Sequence, residues 1–189
     1  VSHLMDSITP VGNGTGRGDA PVTIRTARLD DAAGLLRLMR AVDDETPFMI
    51  YAKGERSLSV EDTRNLLVEA GLVRGLALFV AQVGPELAGY TLAVSGGLAR
   101  TRHCVRISAL AVRRRWWRQG LGRAMLANVE QWARGMGAQR LELETMAAND
   151  AAQGLYESMG FAVEGRRRRA FLVAGAWMDA LVMGKLLED

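Results

Sequence analysis

Apolar residues in this chain recur either at every second position or at helical spacing, and each change of spacing marks a change of element. Val22-Thr23-Ile24-Arg25 alternates and predicts a first strand. Asp30 or Asp31 stands where a helix cap belongs, ahead of Leu35, Leu36, Leu38 and Met39, and Pro47 closes that segment. Ser59 with Asp62 three residues on is a capping-box pattern for a second helix running to about Glu69. Leu76 to Val83 and Leu87 to Val94 are apolar runs around Gly84-Pro85-Glu86, which predicts a hairpin. After Gly96-Gly97, Val105 to Val112 predicts another long strand.

The next helix carries Leu121, Met125, Val129, Trp132 and Met136 on one stripe and stops at Gly135 and Gly137. Arg140 to Met146 is the following strand. Strand, helix, strand implies that the two strands run parallel with a right-handed crossover. Asn149 caps a short helix with Ala152, Leu155, Tyr156 and Met159 inward and Gly160 at its end. Phe161 to Val173 and Trp177 to Leu187 form a last antiparallel pair around Ala174-Gly175. The predicted order is β-α-α-β-β-β-α-β-α-β-β, a mixed α/β sheet.

One junction in this order carries chemistry. Between Val112 and the third helix lies Arg118-Gln119-Gly120-Leu121-Gly122-Arg123. A strand, a glycine-bearing loop and a helix start aim several main-chain N–H groups at an anion, and the helix dipole favours negative charge there. Gly120 and Gly122 allow a ligand close to the backbone. Position 125 is Met125, so the dinucleotide fingerprint lacks its third glycine, and no Gly-Lys-Ser/Thr ending makes a P-loop. A phosphate-bearing ligand of another kind is implied.

Composition narrows the class. Of 189 residues 49% are hydrophobic, enough for one globular domain, expected over 21–189 behind a flexible glycine-rich tail over 1–20. A formal net charge of +3 does not point to nucleic acid. The basic residues cluster at Arg113-Arg114-Arg115, Arg118 and Arg123, beside the loop, and at Arg166 to Arg169. The first cluster suits attraction of an anionic ligand. Cys104 is the only cysteine, and with His3 and His103 it makes no zinc-site pattern, so no metal is expected. No apolar run reaches the roughly 20 residues of a membrane helix; a cytoplasmic protein with no membrane partner is expected.

The loop resembles the coenzyme A diphosphate motif Arg/Gln-x-x-Gly-x-Gly of the GNAT (GCN5-related N-acetyltransferase) superfamily. Leu110-Ala111-Val112 is similar to the strand end that holds the pantetheine arm there. Asn149-Asp150-Ala151-Ala152-Gln153-Gly154-Leu155-Tyr156-Glu157-Ser158-Met159-Gly160-Phe161 resembles that family's Asn-x-x-Ala-x-x-Leu-Tyr-x-x-x-Gly-Phe. The likeness runs over roughly residues 21 to 187, and the predicted order of elements is that of the acyl-CoA N-acyltransferase fold. Around the last motif it is strongest to ribosomal-protein-alanine N-acetyltransferases. Pro47-Phe48-Met49 through Glu55-Arg56 is longer and resembles bacterial enzymes acting on small amines or free amino acids.

The resemblance implies acetyl-CoA as co-substrate and direct attack of a primary amine on its thioester. It implies cofactor contacts from Leu110, Ala111, Val112, Arg118, Gln119, Gly120, Leu121, Gly122, Arg123 and Asn149. It implies a strand pair splayed with the help of a bulge in the strand ending at Val112, whose main-chain N–H serves the carbonyl oxygen. Tyr156 would protonate the leaving thiolate and Glu144 would be the base, with Glu142 on the same strand face as its rival. Position 117 is Trp117 where the family has Arg or Gln; Arg118 or Arg115 stands near enough to substitute, and Trp116 and Trp117 otherwise pack the loop.

The acceptor side is expected from residues 43 to 55 and the last hairpin. Asp43, Asp44 and Glu45 read first as a solvated acidic loop and otherwise as an attraction for a cationic amine; Arg166 to Arg169, if they face the pocket, would favour a carboxylate-bearing acceptor. A small amine, an amino acid and a peptide N-terminus all stay open. So does a catalytically inactive acetyl-CoA sensor or interaction module. The apolar Leu181-Val182-Met183 is compatible with a homodimer strand or with plain core burial.

Overall fold

A computed structural model of the protein describes residues 21–187 and the backbone of Thr9–Pro10; the tail expected over 1–20 otherwise lies outside the described residues. The strands are β1 (Thr9–Pro10), β2 (Val22–Thr26), β3 (Leu76–Val83), β4 (Glu86–Ser95), β5 (Cys104–Val112), β6 (Arg140–Met146), β7 (Ala162–Val173) and β8 (Ala176–Leu186). The helices are α1 (Ala32–Glu45), α2 (Val60–Leu72), α3 (Leu121–Gly135) and α4 (Asp150–Ser158). From β2 onward the order is the one the periodicity predicts. One sheet runs β1-β2-β3-β4-β5-β6-β8-β7, and β5 with β6 is its parallel pair.

Alternation along the central strands feeds a core on each face. Leu78, Val80, Tyr90 and Ala111 meet Leu35, Leu38, Met39, Val42 and Leu67 of α1 and α2. Phe79, Ala81, Val105, Ile107, Leu141 and Leu143 meet Met125, Leu126, Val129 and Ala133 of α3, and Tyr156 of α4. The stripe read from α3 is therefore a buried face. Leu181 and Met183 are buried within this core, which accounts for that apolar run without a second copy.

Helix ends follow local chemistry with one departure. Ser59 and Asp62 form the expected capping box, Asp62 N–H donating to Ser59 Oγ at 3.1 Å. Asp31 occupies the cap position of α1 but its carboxylate takes Arg25 Nη1 and Nη2, at 2.7 and 2.8 Å, and Arg28 N–H instead. Asp30 and Asp31 belong to a 3-10 turn, Leu29–Asp31. At its other end α1 carries Asp43, Asp44 and Glu45 with no basic residue in the last turn. Each negative charge there opposes the helix dipole at a cost of roughly 0.3–1 kcal/mol unless something neutralises it.

β8 lets its neighbours reach over it. Arg140 of β6 pairs with Glu164 of β7 directly above Gly184, where an added Cβ would sit 2.5 Å from Glu164 Oε1 and 2.6 Å from Arg140 Nη2. Arg167 of β7 reaches Glu144 of β6 past the same strand.

Three part-buried carboxylates tie elements together. Burial alone would raise Asp31, Glu130 and Glu142. Arg25 on Asp31, Lys185 and Arg134 on Glu130, and Arg106 on Glu142 outweigh it, so all three titrate below their ordinary values of 3.8, 4.5 and 4.5. A carboxylate depressed in the folded state contributes stability that is full above its unfolded pKa and lost as pH falls through the folded one. The melting temperature is therefore expected to hold level from pH 7 to about 5 and to fall below about 4. Calorimetric scans across that range check it, and a melting temperature that rises between pH 5 and 3 contradicts it.

Candidate active site

The parallel pair opens partway along. β5 and β6 pair only from Cys104↔Arg140 to Ile107↔Leu143. Opposite, β4 pairs Leu92 with Ala109 and Ala93 with Ile107, so Ser108 is an extra residue in β5. Such a bulge bends its strand and increases local twist, and pairing with β6 ends beside it. Ala109 to Val112 and Glu144 to Met146 thus line a seam. Ala111 is 4% exposed, and Leu110 and Val112 pack against the α3 core. These three residues offer the seam their main chain rather than their side chains.

The glycine loop stands where β5 leads into α3. The first main-chain bond of α3 is Ala124 N–H to Gly120 O at 3.0 Å, and its N-cap Gly120 supplies no side-chain acceptor. The N–H groups of Leu121, Gly122 and Arg123 therefore precede the helical ladder. Gly120 has φ 82° and Arg118 φ 62°, both left-handed. A side chain at Gly120 would meet no protein atom within 4 Å, and one at Gly122 would meet Leu155 Cδ2 at 2.9 Å. Gln119 Oε1 is buried without a partner, while Gln119 Nε2 donates to Arg115 O at 3.1 Å. Unsatisfied main-chain donors, a positive-φ glycine facing solvent and an orphaned amide oxygen fit a polyanionic ligand with its own donors.

Most arginines near the loop are already engaged. Arg113 pairs with Glu45, and Arg115 with Glu86. The Arg114 guanidinium lies 5.5 Å over the Trp117 ring. Arg123 donates to Ser158 Oγ at 2.8 Å, tying α3 to the end of α4. Arg118 alone of the five has neither ion pair, hydrogen bond nor ring contact among the described residues. Trp117 Nε1 donates to Val112 O at 2.6 Å and Trp116 packs on the α3 core, so both indoles brace the loop.

Glu144 is the first residue of β6 beyond the last β5 pair, at the mouth of the seam. Its carboxylate accepts from Arg167 Nη1 at 2.6 Å on each oxygen. Glu142, two residues earlier, lies in the paired stretch opposite Arg106, which donates to it at 2.7 Å, and lines a cleft of about 370 Å³ with Cys104 and Ser108. Tyr156 is 7% exposed, 5.9 Å from the Phe161 ring, and burial pushes its phenol up to about 12. Asn149 Oδ1 accepts from Ala152 N–H at 3.2 Å, capping α4, and its Nδ2 has no partner among the described residues.

The acceptor-side charges are placed differently from expectation. Asp43 is 4% exposed and bound by Arg56 Nε and Nη2 at 2.6 and 3.0 Å, and the Arg56 guanidinium lies 4.1 Å over the Tyr51 ring. Glu45 is held by Arg113 and Arg114. Neither is free to draw in a cation; Asp44 remains exposed. Arg166 pairs with Asp179, Arg167 with Glu144, and Arg169 lies 5.9 Å over Trp177, so this row is largely neutralised. These pairings span 8 to 69 residues and carry no local sequence signal. Among the described residues no group of three or more His, Cys, Asp or Glu is placed to hold a metal, and no helix is long and apolar enough to cross a membrane.

Known proteins share this fold. The acetyltransferase (GNAT) family pattern matches residues 38–161. Over 74 residues the chain is 39% identical to the ribosomal protein bS18-alanine N-acetyltransferase of Escherichia coli (strain K12), covering 39% of this chain and 50% of that protein. The match thus spans about half the length of that curated relative. An acetyltransferase of the GNAT family from Streptococcus pneumoniae superposes with a TM-score of 0.83 at 28% identity, over 88% of this chain and 99% of its own. A Salmonella typhimurium acetyltransferase structure with its cofactor acetyl-CoA gives 0.78 at 21% identity, over 89% and 95%, a likeness of fold. With two-thirds of its length inside the family pattern, the chain belongs to the acetyltransferase (GNAT) family.

Proposed function

We propose that residues 21–189 form an acetyl-CoA-dependent N-acetyltransferase acting on a primary amine, with the cytoplasm as its place of work. The observation that carries this is the seam between β5 and β6, which begins at Ser108 and ends at the unsatisfied N–H groups of Leu121, Gly122 and Arg123. Those donors, with the free Arg118, would hold the diphosphate. Gln119 would complete the loop with its orphaned Oε1. The main chain of Leu110, Ala111 and Val112 and the spare Nδ2 of Asn149 would take the amides of the pantetheine arm. When bound, acetyl-CoA supplies an activated acetyl thioester.

The chain's own groups then manage charge and protons. A main-chain N–H near Val112 donates to the carbonyl oxygen as it gains negative charge. Glu144, released from Arg167, takes a proton from the ammonium form of the acceptor, directly or through water. The neutral nitrogen bonds to the carbonyl carbon, the carbon–sulfur bond breaks, the departing sulfur takes a proton from Tyr156, and the second proton shed by the nitrogen returns through water to the Tyr156 phenolate. A phenol near 12 stays protonated throughout the working pH range, as a donor must. The products are an acetylated amine and free coenzyme thiol.

The bS18-alanine relative favours a protein N-terminus as acceptor, ahead of a free amino acid or small amine. Thiol release with acetyl-CoA and a panel of alanine-starting peptides, amino acids and small amines tests this. Acceptor-dependent release supports the enzyme. Tight acetyl-CoA binding with no release for any acceptor leaves the non-catalytic sensor, to which the Arg167 grip on Glu144 would then belong. Glu144→Gln is expected to remove the acid limb of the pH–rate profile while leaving the affinity for acetyl-CoA intact. A persisting limb assigns the base elsewhere.

A further inference from the structure

Glu45 ends α1, 68 residues before Arg113, yet its two oxygens take Arg113 Nε and Arg114 N–H, each at 2.7 Å. Arg113 and Arg114 are the turn between β5 and the short helix Arg114–Trp116 that feeds the glycine loop. The bracing continues through Trp117 Nε1 on Val112 O and Gln119 Nε2 on Arg115 O. What the braces hold is uphill by itself: Arg118, a residue with a Cβ, sits at φ 62° two positions before Gly120 at 82°. Glu45 is poorly suited to stabilising its own helix, because a carboxylate at a C-terminus opposes the dipole. Its neighbour Asp43 is neutralised within the α1–α2 connection by Arg56. Among the described residues, Glu45 is neutralised by reaching across to the loop.

We propose that Glu45 is a positioning residue for the coenzyme: it fixes the diphosphate loop in its anion-ready shape before ligand arrives. This rests on the acetyl-CoA reading above.

Coenzyme A binding by calorimetry, unliganded melting temperature and steady-state kinetics on wild type, Glu45→Gln, Arg113→Gln and the double variant test the proposal. Each single substitution is expected to raise the Kd for coenzyme A about tenfold, and the double variant no further, since both remove one interaction. KM for acetyl-CoA follows the Kd, and kcat at saturation stays within about twofold. In Glu45→Gln the unliganded melting temperature stays within about 2 °C, because loss of the contact is offset by removing charge from the helix end. An unchanged Kd in Glu45→Gln, additive losses in the double variant, or a melting temperature lower by more than about 5 °C overturns the assignment. Wild type that does not bind coenzyme A at all removes the proposed function itself, a result distinct from any of these.

Discussion

Replacing Tyr156 by phenylalanine is expected to lower kcat about a hundredfold, the usual scale for losing a general acid, with the affinity for acetyl-CoA little changed. The substitution deletes one oxygen from a ring that packs beside Phe161 in the α3–α4 core and is 7% exposed. Packing therefore survives and the melting temperature moves little. The distinction matters because burial alone justifies an aromatic here. A tyrosine kept only for its ring would leave kcat untouched when the hydroxyl goes. A proton donor would leave Kd untouched and remove turnover. Single-turnover thiol release with separately measured binding makes the separation; equal turnover in Tyr156→Phe takes the residue out of the mechanism.

Gly120→Asp is expected to weaken acetyl-CoA binding by about two orders of magnitude. A side chain at this position meets no protein atom within 4 Å, so the substitution leaves packing alone. It adds a carboxylate beside the N–H groups proposed to hold a diphosphate. Like charges about 5 Å apart at an effective dielectric of about 20 repel by about 3 kcal/mol, which is roughly a hundredfold in affinity. Gly120→Asn is the companion. Asparagine has nearly the same shape and tolerates the φ of 82° about as well, so its loss is expected to stay below about tenfold. Titration calorimetry at two salt concentrations compares them. Equal losses would mean that the backbone and not the charge is at fault. No loss in either would mean that the loop does not bind the diphosphate.

What the sequence made legible was local. The stripe from Leu121 to Val129, the capping box of Ser59 and Asp62 and the strand alternation each arise within a few residues, and all recur in the structure. The glycine loop was legible because backbone conformation at Gly120 is a local property. The tertiary pairings were not. Glu45 and Asp43 read as acids free to greet a cation, yet each is bound by an arginine whose position depends on how α1 lies over the sheet. Arg167 reads as a surface charge until β8 inserts between β6 and β7 and brings it to Glu144. No residue type demands the extra position at Ser108; the bulge follows from the alignment of β4 with β5.

That single extra residue has a thermodynamic reach beyond the reaction. By parting β5 from β6 after four paired positions, it leaves two facing backbone rims without each other. A molecule that bridges the rims binds the native chain and not the unfolded one, adding about 2.7 kcal/mol at a hundred times its Kd. The protein's resistance to heat and proteases would then rise and fall with the concentration of that ligand.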